Sequence, residues 1–63
     1  MEILRITVDL GEGKEPDHII VNRGQENQAR QLAREFCRKH GFDSKICDAL
    51  YGQIQENIEL VSQ

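Results

Sequence analysis

Residues 9–15 read DLGEGKE, and the fold turns on whether this Gly-Lys stretch cradles a phosphate or reverses the chain. A phosphate-binding loop needs a strand, then GxxxxGK[ST], then a helix whose first amides face the anion. Only GEGK is present here, with Glu12 inside it and Glu15 after it to repel a phosphate, and Pro16 stands where that helix would start. The stretch reads as a turn. On its N-terminal side EILRITVDL alternates, with Leu4, Ile6, Val8 and Leu10 on one face and Arg5, Thr7 and Asp9 on the other. Strict period-two alternation marks a strand with one buried side. On the other side HIIVN repeats the pattern with Ile19 and Val21 inward. An antiparallel hairpin over 2–22 follows.

Beyond Gly24 the period changes. Ala29, Leu32, Ala33, Phe36, Cys37 and His40 fall on one stripe of an amphipathic helix predicted over 27–40. Arg38, Lys39 and His40 close it, where cations favour the helix dipole, and Gly41 follows as the stop. Asp43 or Ser44 is the cap of a second helix, with Phe42 placed as a hydrophobic staple onto Cys47. That helix is predicted over 44–61, with Ile46, Leu50, Ile54, Ile58 and Val61 as its apolar stripe. Gly52 weakens it by roughly 1 kcal/mol relative to Ala. The fold class expected is α+β: a two-stranded antiparallel hairpin followed by two helices, ββαα, in a single domain over 1–63.

The chain has 63 residues, 30% of them charged, and a formal net charge of −3. A nucleic-acid or membrane-surface binder needs a cationic face, and only Phe36, Phe42 and Tyr51 are aromatic, so neither partner is expected. No apolar run approaches the ~18 residues of a membrane span, and the start lacks a signal-peptide pattern. A cytoplasmic setting is expected. The closing ENIELVSQ stops within a helical pattern, which suggests a piece of a longer protein.

Cys37, His40 and Cys47 form C-x2-H-x6-C, with His18 as a distant fourth ligand. A structural zinc takes four ligands, usually as two close pairs, so no metal and no cofactor are expected. A Cys–His nucleophile would need an orienting group and a cleft, and no enzyme is expected. Cys37 and Cys47 also stand at C-x9-C, which resembles half of the twin motif of coiled-coil-helix proteins of the mitochondrial intermembrane space. Gly41 divides it between two helices, and membership is rejected. A disulfide across the turn is open, with reduced thiols the default in a cytosolic chain.

Two interaction readings remain. Arg30, Arg34 and Arg38 form a basic ridge opposite the apolar stripe. It is either a solvated face neutralised by Glu26, Glu35 and the acids of the second helix, or a docking face for an acidic partner. The second helix, at about 30 Å against about 21 Å for the first, is expected to overhang the hairpin by two turns. Cys47, Leu50, Ile54, Asn57 and Val61 follow 3-4-3-4 spacing with a polar Asn57 at one seam position. A homodimer through Leu50, Ile54, Asn57, Ile58 and Val61 is therefore the first expectation, and the alternative is a monomeric docking module that takes an acidic peptide on the arginines or a β-strand on a hairpin edge.

MEILRITVDLGEGK through LAREFCRKHGF resembles the opening of ubiquitin-like β-grasp proteins over residues 1–42, a hairpin followed by an amphipathic helix. The resemblance implies an interaction role. The chain departs from it in carrying a second helix where later strands would stand, and in lacking a Gly-Gly tail. The pattern VDLG-G-K … LA-EFC-KHG is also similar to small hairpin-plus-helix modules of eukaryotic cytoskeletal and ciliary scaffold proteins. That likeness too implies protein–protein interaction.

Overall fold

The structure is a computed structural model and describes residues 1–62. Strands β1 (Glu2–Val8) and β2 (Asp17–Asn22) are followed by helices α1 (Ala29–His40) and α2 (Ser44–Val61). The strands form one antiparallel two-stranded sheet. This is the expected ββαα arrangement.

In the connecting loop, the Asp9 carboxylate accepts the Gly11 amide at 2.9 Å, and Lys14 N–H closes a turn onto Gly11 O at 3.3 Å. Gly13 takes φ +78 at the third position of that turn, where a side chain would be strained. The loop's own acid thus uses an amide that a phosphate would need.

The pairing sets Ile6 opposite Ile19 and Leu4 opposite Val21, so the inward residues of both strands face the helices. The register shifts between Glu2 and Leu4. Ile3, which simple alternation places outward, is drawn half-way into the core beside Leu4. Bulges of this kind re-aim side chains at sheet edges. Met1 O then accepts Arg23 N–H at 2.6 Å and prolongs the ladder by one bond.

Helix α1 begins two residues later than the pattern over 27–40 predicts. The reason is local competition for backbone groups. Gln25 Oε1 takes the Asn22 amide at 2.9 Å, Glu26 Oε1 takes the Gly24 amide, and Gln28 N–H closes onto Gln25 O at 2.9 Å. The segment is a tight turn of its own. At the other end Gly41 takes φ +67, and its amide and that of Phe42 both bond Cys37 O. Asp43 then caps α2 by accepting the Ile46 amide at 3.0 Å. Phe42 leans on the rings of Phe36 and His40 rather than forming a staple alone, with centroids 6.1 and 5.5 Å away.

The core has three contributors: Ile6, Ile19 and Val21 from the sheet, Ala29, Ala33, Phe36 and Cys37 from α1, and Leu50, Ile54 and Ile58 from α2. Val21 and Ile54 are completely buried. The backbone of α2 lies against α1 and against β1, so the second helix approaches the sheet more closely than the first. Side chains of α1 join the inward residues of the hairpin in the same core, and α2 stands where later strands would in a β-grasp order.

Asp17 ties α1 to the hairpin. Its carboxylate accepts Lys39 Nζ at 3.0 Å, bonds His40 Nε2 at 2.8 Å and takes its neighbour's amide, His18 N–H, at 2.8 Å. The Lys39 ammonium first, then the His18 amide and His40, hold the Asp17 carboxyl far below the usual carboxylate range. A carboxyl depressed in the folded state adds stability that is present above its unfolded value and lost as pH falls below it. Asp17→Asn is therefore expected to lower the melting temperature at pH 5. The gap to the parent should shrink as pH falls below about 4, followed by circular dichroism melts between pH 5 and pH 2.

Candidate docking face

Because the apolar stripe of α1 faces the core, its opposite side is fixed as the solvent side, and there Arg30, Arg34 and Arg38 stand exposed in a row. Two of the acids expected to neutralise this ridge are hydrogen-bonded elsewhere. Glu35 accepts Gln31 Nε2 at 3.1 Å, and Glu26 holds the Gly24 amide at 2.6 Å. Only Arg30 finds an acid. Its Nη1 donates to Asp48 Oδ1 at 3.2 Å across to α2, and its guanidinium lies 4.0 Å over the Tyr51 ring. Arg34 and Arg38 make no ion pair among the described residues. The Arg30–Asp48 bridge is itself exposed, and such pairs contribute about 0–1 kcal/mol.

Two shallow cavities adjoin the ridge and share Arg30 and Arg34. One of about 240 Å³ runs between the helices, with Ala33 and Cys47 at its floor and Ser44 and Asp48 on its α2 side. The other, about 470 Å³, follows α1 outward past Gln31 to Arg38. The first is smaller than the ~300–1,000 Å³ of sites that enclose a small ligand. An occupant would lie across this face rather than inside it.

The floor of the inner cavity is cross-linked. Cys37 and Cys47 form a disulfide, with Cα atoms 5.9 Å apart. The default of reduced thiols is corrected: Gly41 folds the helices back antiparallel, which brings a buried Cys37 beside a half-exposed Cys47. A loop of this length implies roughly 3 kcal/mol of stabilisation through lost chain entropy in the unfolded state. The helix-to-helix pairing of Cys37 and Cys47 was among the open readings; what spacing alone does not specify is how closely the turn folds back. The zinc reading loses its ligands for the same reason. Both thiols are consumed, His40 is held by Asp17, and His18 sits on the outer sheet face with Nδ1 3.2 Å from Thr7 Oγ1. Among the described residues no three such side chains converge on a point.

The residues expected to form a homodimer seam are placed differently. Leu50, Ile54 and Ile58 lie in the core of one chain, at 6, 0 and 5% exposure. The expected overhang does not develop there, because α2 runs along both β1 and α1 and each covers part of its stripe. Asn57 is half-buried, and its Nδ2 donates to Gln53 O at 2.8 Å within its own helix. Only Val61 of the five is exposed, next to Leu60, which the stripe had not included. Among the described residues no helix is long and apolar enough to cross a membrane. Comparison of the chain with protein-family models, curated proteins and solved structures finds no match.

Removing side-chain volume should separate core from surface. Ile54→Ala is expected to cost about 2–5 kcal/mol, most of the ~3–9 kcal/mol that a chain of this length holds, as read by urea titration. Val61→Ala should leave the midpoint nearly unchanged. Equal effects at the two positions would contradict this placement of α2.

Proposed function

We propose that this chain is a non-catalytic protein–protein interaction module that captures an acidic segment of a partner on the exposed face of α1 and the cleft between α1 and α2. The observation that carries this reading is the unneutralised pair Arg34 and Arg38, standing over a surface whose nearby acids are engaged elsewhere. Carboxylates of a partner would take Arg34 and Arg38 directly and compete with Asp48 for Arg30. The apolar floor at Ala33 would receive a small side chain between them. Guanidinium groups suit this task because their fork of donors matches a carboxylate in two places. The chain's overall negative charge keeps the recognition local. The net charge repels an acidic partner in general, so the row of three arginines is set against an unfavourable background, which favours specificity over general adhesion. A cytoplasmic setting belongs to the same proposal.

Self-association through α2 is the weaker reading. Of the expected seam it retains Val61 and the half-buried Asn57, with Leu60 beside them. Ile46 is exposed about four turns away at the other end of the helix, so the exposed apolar side chains form no continuous seam. Stable interfaces bury about 1,200–2,000 Å² in total, far more than three side chains supply.

A synthetic peptide with alternating Glu and Ala serves as the probe in a titration followed by fluorescence anisotropy. It should bind the parent chain, and rising salt should weaken it. Arg34→Glu combined with Arg38→Glu should weaken binding about tenfold or more while helicity is unchanged. A peptide that ignores the parent chain, or binds the double variant equally well, would refute the acidic-partner assignment.

A further inference from the structure

The two halves of the disulfide are not equivalent. Cys37 is buried, at 4% exposure, on the inward stripe of α1. Cys47 is half-exposed, stands in the first turn of α2, and forms part of the cavity wall with Arg30 and Arg34. One sulfur therefore belongs to the core and the other to a cationic cleft. Thiol–disulfide exchange proceeds by attack of a thiolate on one disulfide sulfur, and access decides which. In this fold the accessible route leads to Cys47.

We propose that Cys47 is an exchange site for anionic low-molecular-weight thiols of the glutathione class, with Arg34 as the residue that receives their carboxylate and Cys37 as the resolving thiol. The thiolate attacks Cys47 Sγ and forms a new S–S bond there. The Cys37–Cys47 bond breaks, and Cys37 leaves with the electron pair and takes a proton from water. A second thiolate then attacks the glutathione sulfur of that mixed disulfide. Cys47 departs as the thiolate, and oxidised glutathione is released. Two electrons pass in total: two glutathione thiols become one disulfide and the protein disulfide becomes a dithiol. Run backwards, Cys47 thiolate attacks oxidised glutathione and Cys37 closes the ring. Both directions pass through the same intermediate on Cys47.

Three features of the cleft serve this chemistry. Arg34 is unpaired and lies on the cavity wall, so a carboxylate meets a guanidinium without displacing an internal acid. A thiolate at Cys47 would stand at the N-terminal turn of α2 beside that guanidinium, an environment that favours the anion. Ala33, a small side chain, lines the same cavity as Arg34 and Cys47. Asp48 opposes an anion on the same wall, but it is held by Arg30 at 3.2 Å. The proposal goes beyond the acidic-partner reading and does not require it, since no macromolecular partner takes part.

The test uses the parent chain, oxidised and folded, with reduced glutathione and with glutathione whose two carboxylates are esterified, at equal thiolate concentration. The reaction is quenched with iodoacetamide. Trypsin cuts after Arg38, Lys39 and Lys45, which separates the two cysteines. Mass spectrometry should find glutathione on the peptide carrying Cys47 and the alkyl label on Cys37. Free glutathione should react about tenfold faster than its ester, the low end of what a cationic cleft adds to an encounter rate. Arg34→Gln should abolish that preference and Arg34→Lys should restore most of it, the ratio of the free to the ester rate being the quantity read in each variant. Glutathione found on Cys37, equal rates for acid and ester, or two free thiols in the air-oxidised protein would each overturn the proposal. Failure of the acidic peptide to bind would leave this result untouched, so the two readings fail separately.

Discussion

The burial of Ile54 is the constraint from which the rest of the structure follows. It belongs to α2, the helix that packs on both α1 and β1, and it is completely shielded from solvent in a core that holds ten buried side chains among the described residues. Burying such a side chain contributes about 1.5–3 kcal/mol, a large share of what a domain this small retains. A two-stranded hairpin is marginal by itself. It becomes a stable platform only because α2 lies along β1 and α1 closes over the remaining inward residues. Once that packing is set, the outward direction of α1 is fixed as well. The arginine ridge is a geometric consequence of where Ala33 and Phe36 must point.

The same packing explains why some of the molecule was legible in its sequence and some was not. Local physics decides Gly13 and Gly41 at their positive φ and Asp43 at the α2 cap, and each of these could be read from a few neighbouring residues. The alternation of Ile6, Ile19 and Val21 likewise carries its own face assignment. The destination of the α2 stripe is a different matter. Leu50, Ile54 and Ile58 show the same spacing whether they meet a sheet or a second copy, because periodicity reports that a face is apolar and not what covers it. Helix length suggested an overhang, but length says nothing about the direction in which α2 crosses β1. Ile3 escaped for a related reason. A register shift at one residue reverses the face that simple alternation assigns.

Charge pairing shows the same division between local and tertiary information. Glu35 lies one residue from Arg34 and three from Arg38, so sequence proximity alone would neutralise the ridge. The structure gives that carboxylate to Gln31, one turn back on the same helix, and directs Glu26 to the Gly24 amide two residues before it. Asp48, eighteen residues from Arg30, is the acid that reaches the ridge. The unneutralised character of Arg34 and Arg38 is thus a property of the folded chain.

The cross-link and the cationic face are one assembly. Cys37 to Cys47 and Arg30 to Asp48 both join α1 to α2, the first near the turn and the second farther along the antiparallel pair. The bridge is exposed and weak, whereas the disulfide is covalent, so the disulfide sets the spacing of the helices and the bridge only follows it. Opening the S–S bond would leave the α1–α2 contact to Leu50, Ile54 and their neighbours, which lie deeper and toward the sheet. The wall of the cleft formed by Ser44, Cys47 and Asp48 would then be free to draw away from Arg30 and Arg34, while the core beneath stayed closed. The redox state of the cross-link and the shape of the arginine face are therefore coupled, because Cys47 lines the same cavity as Arg30 and Arg34.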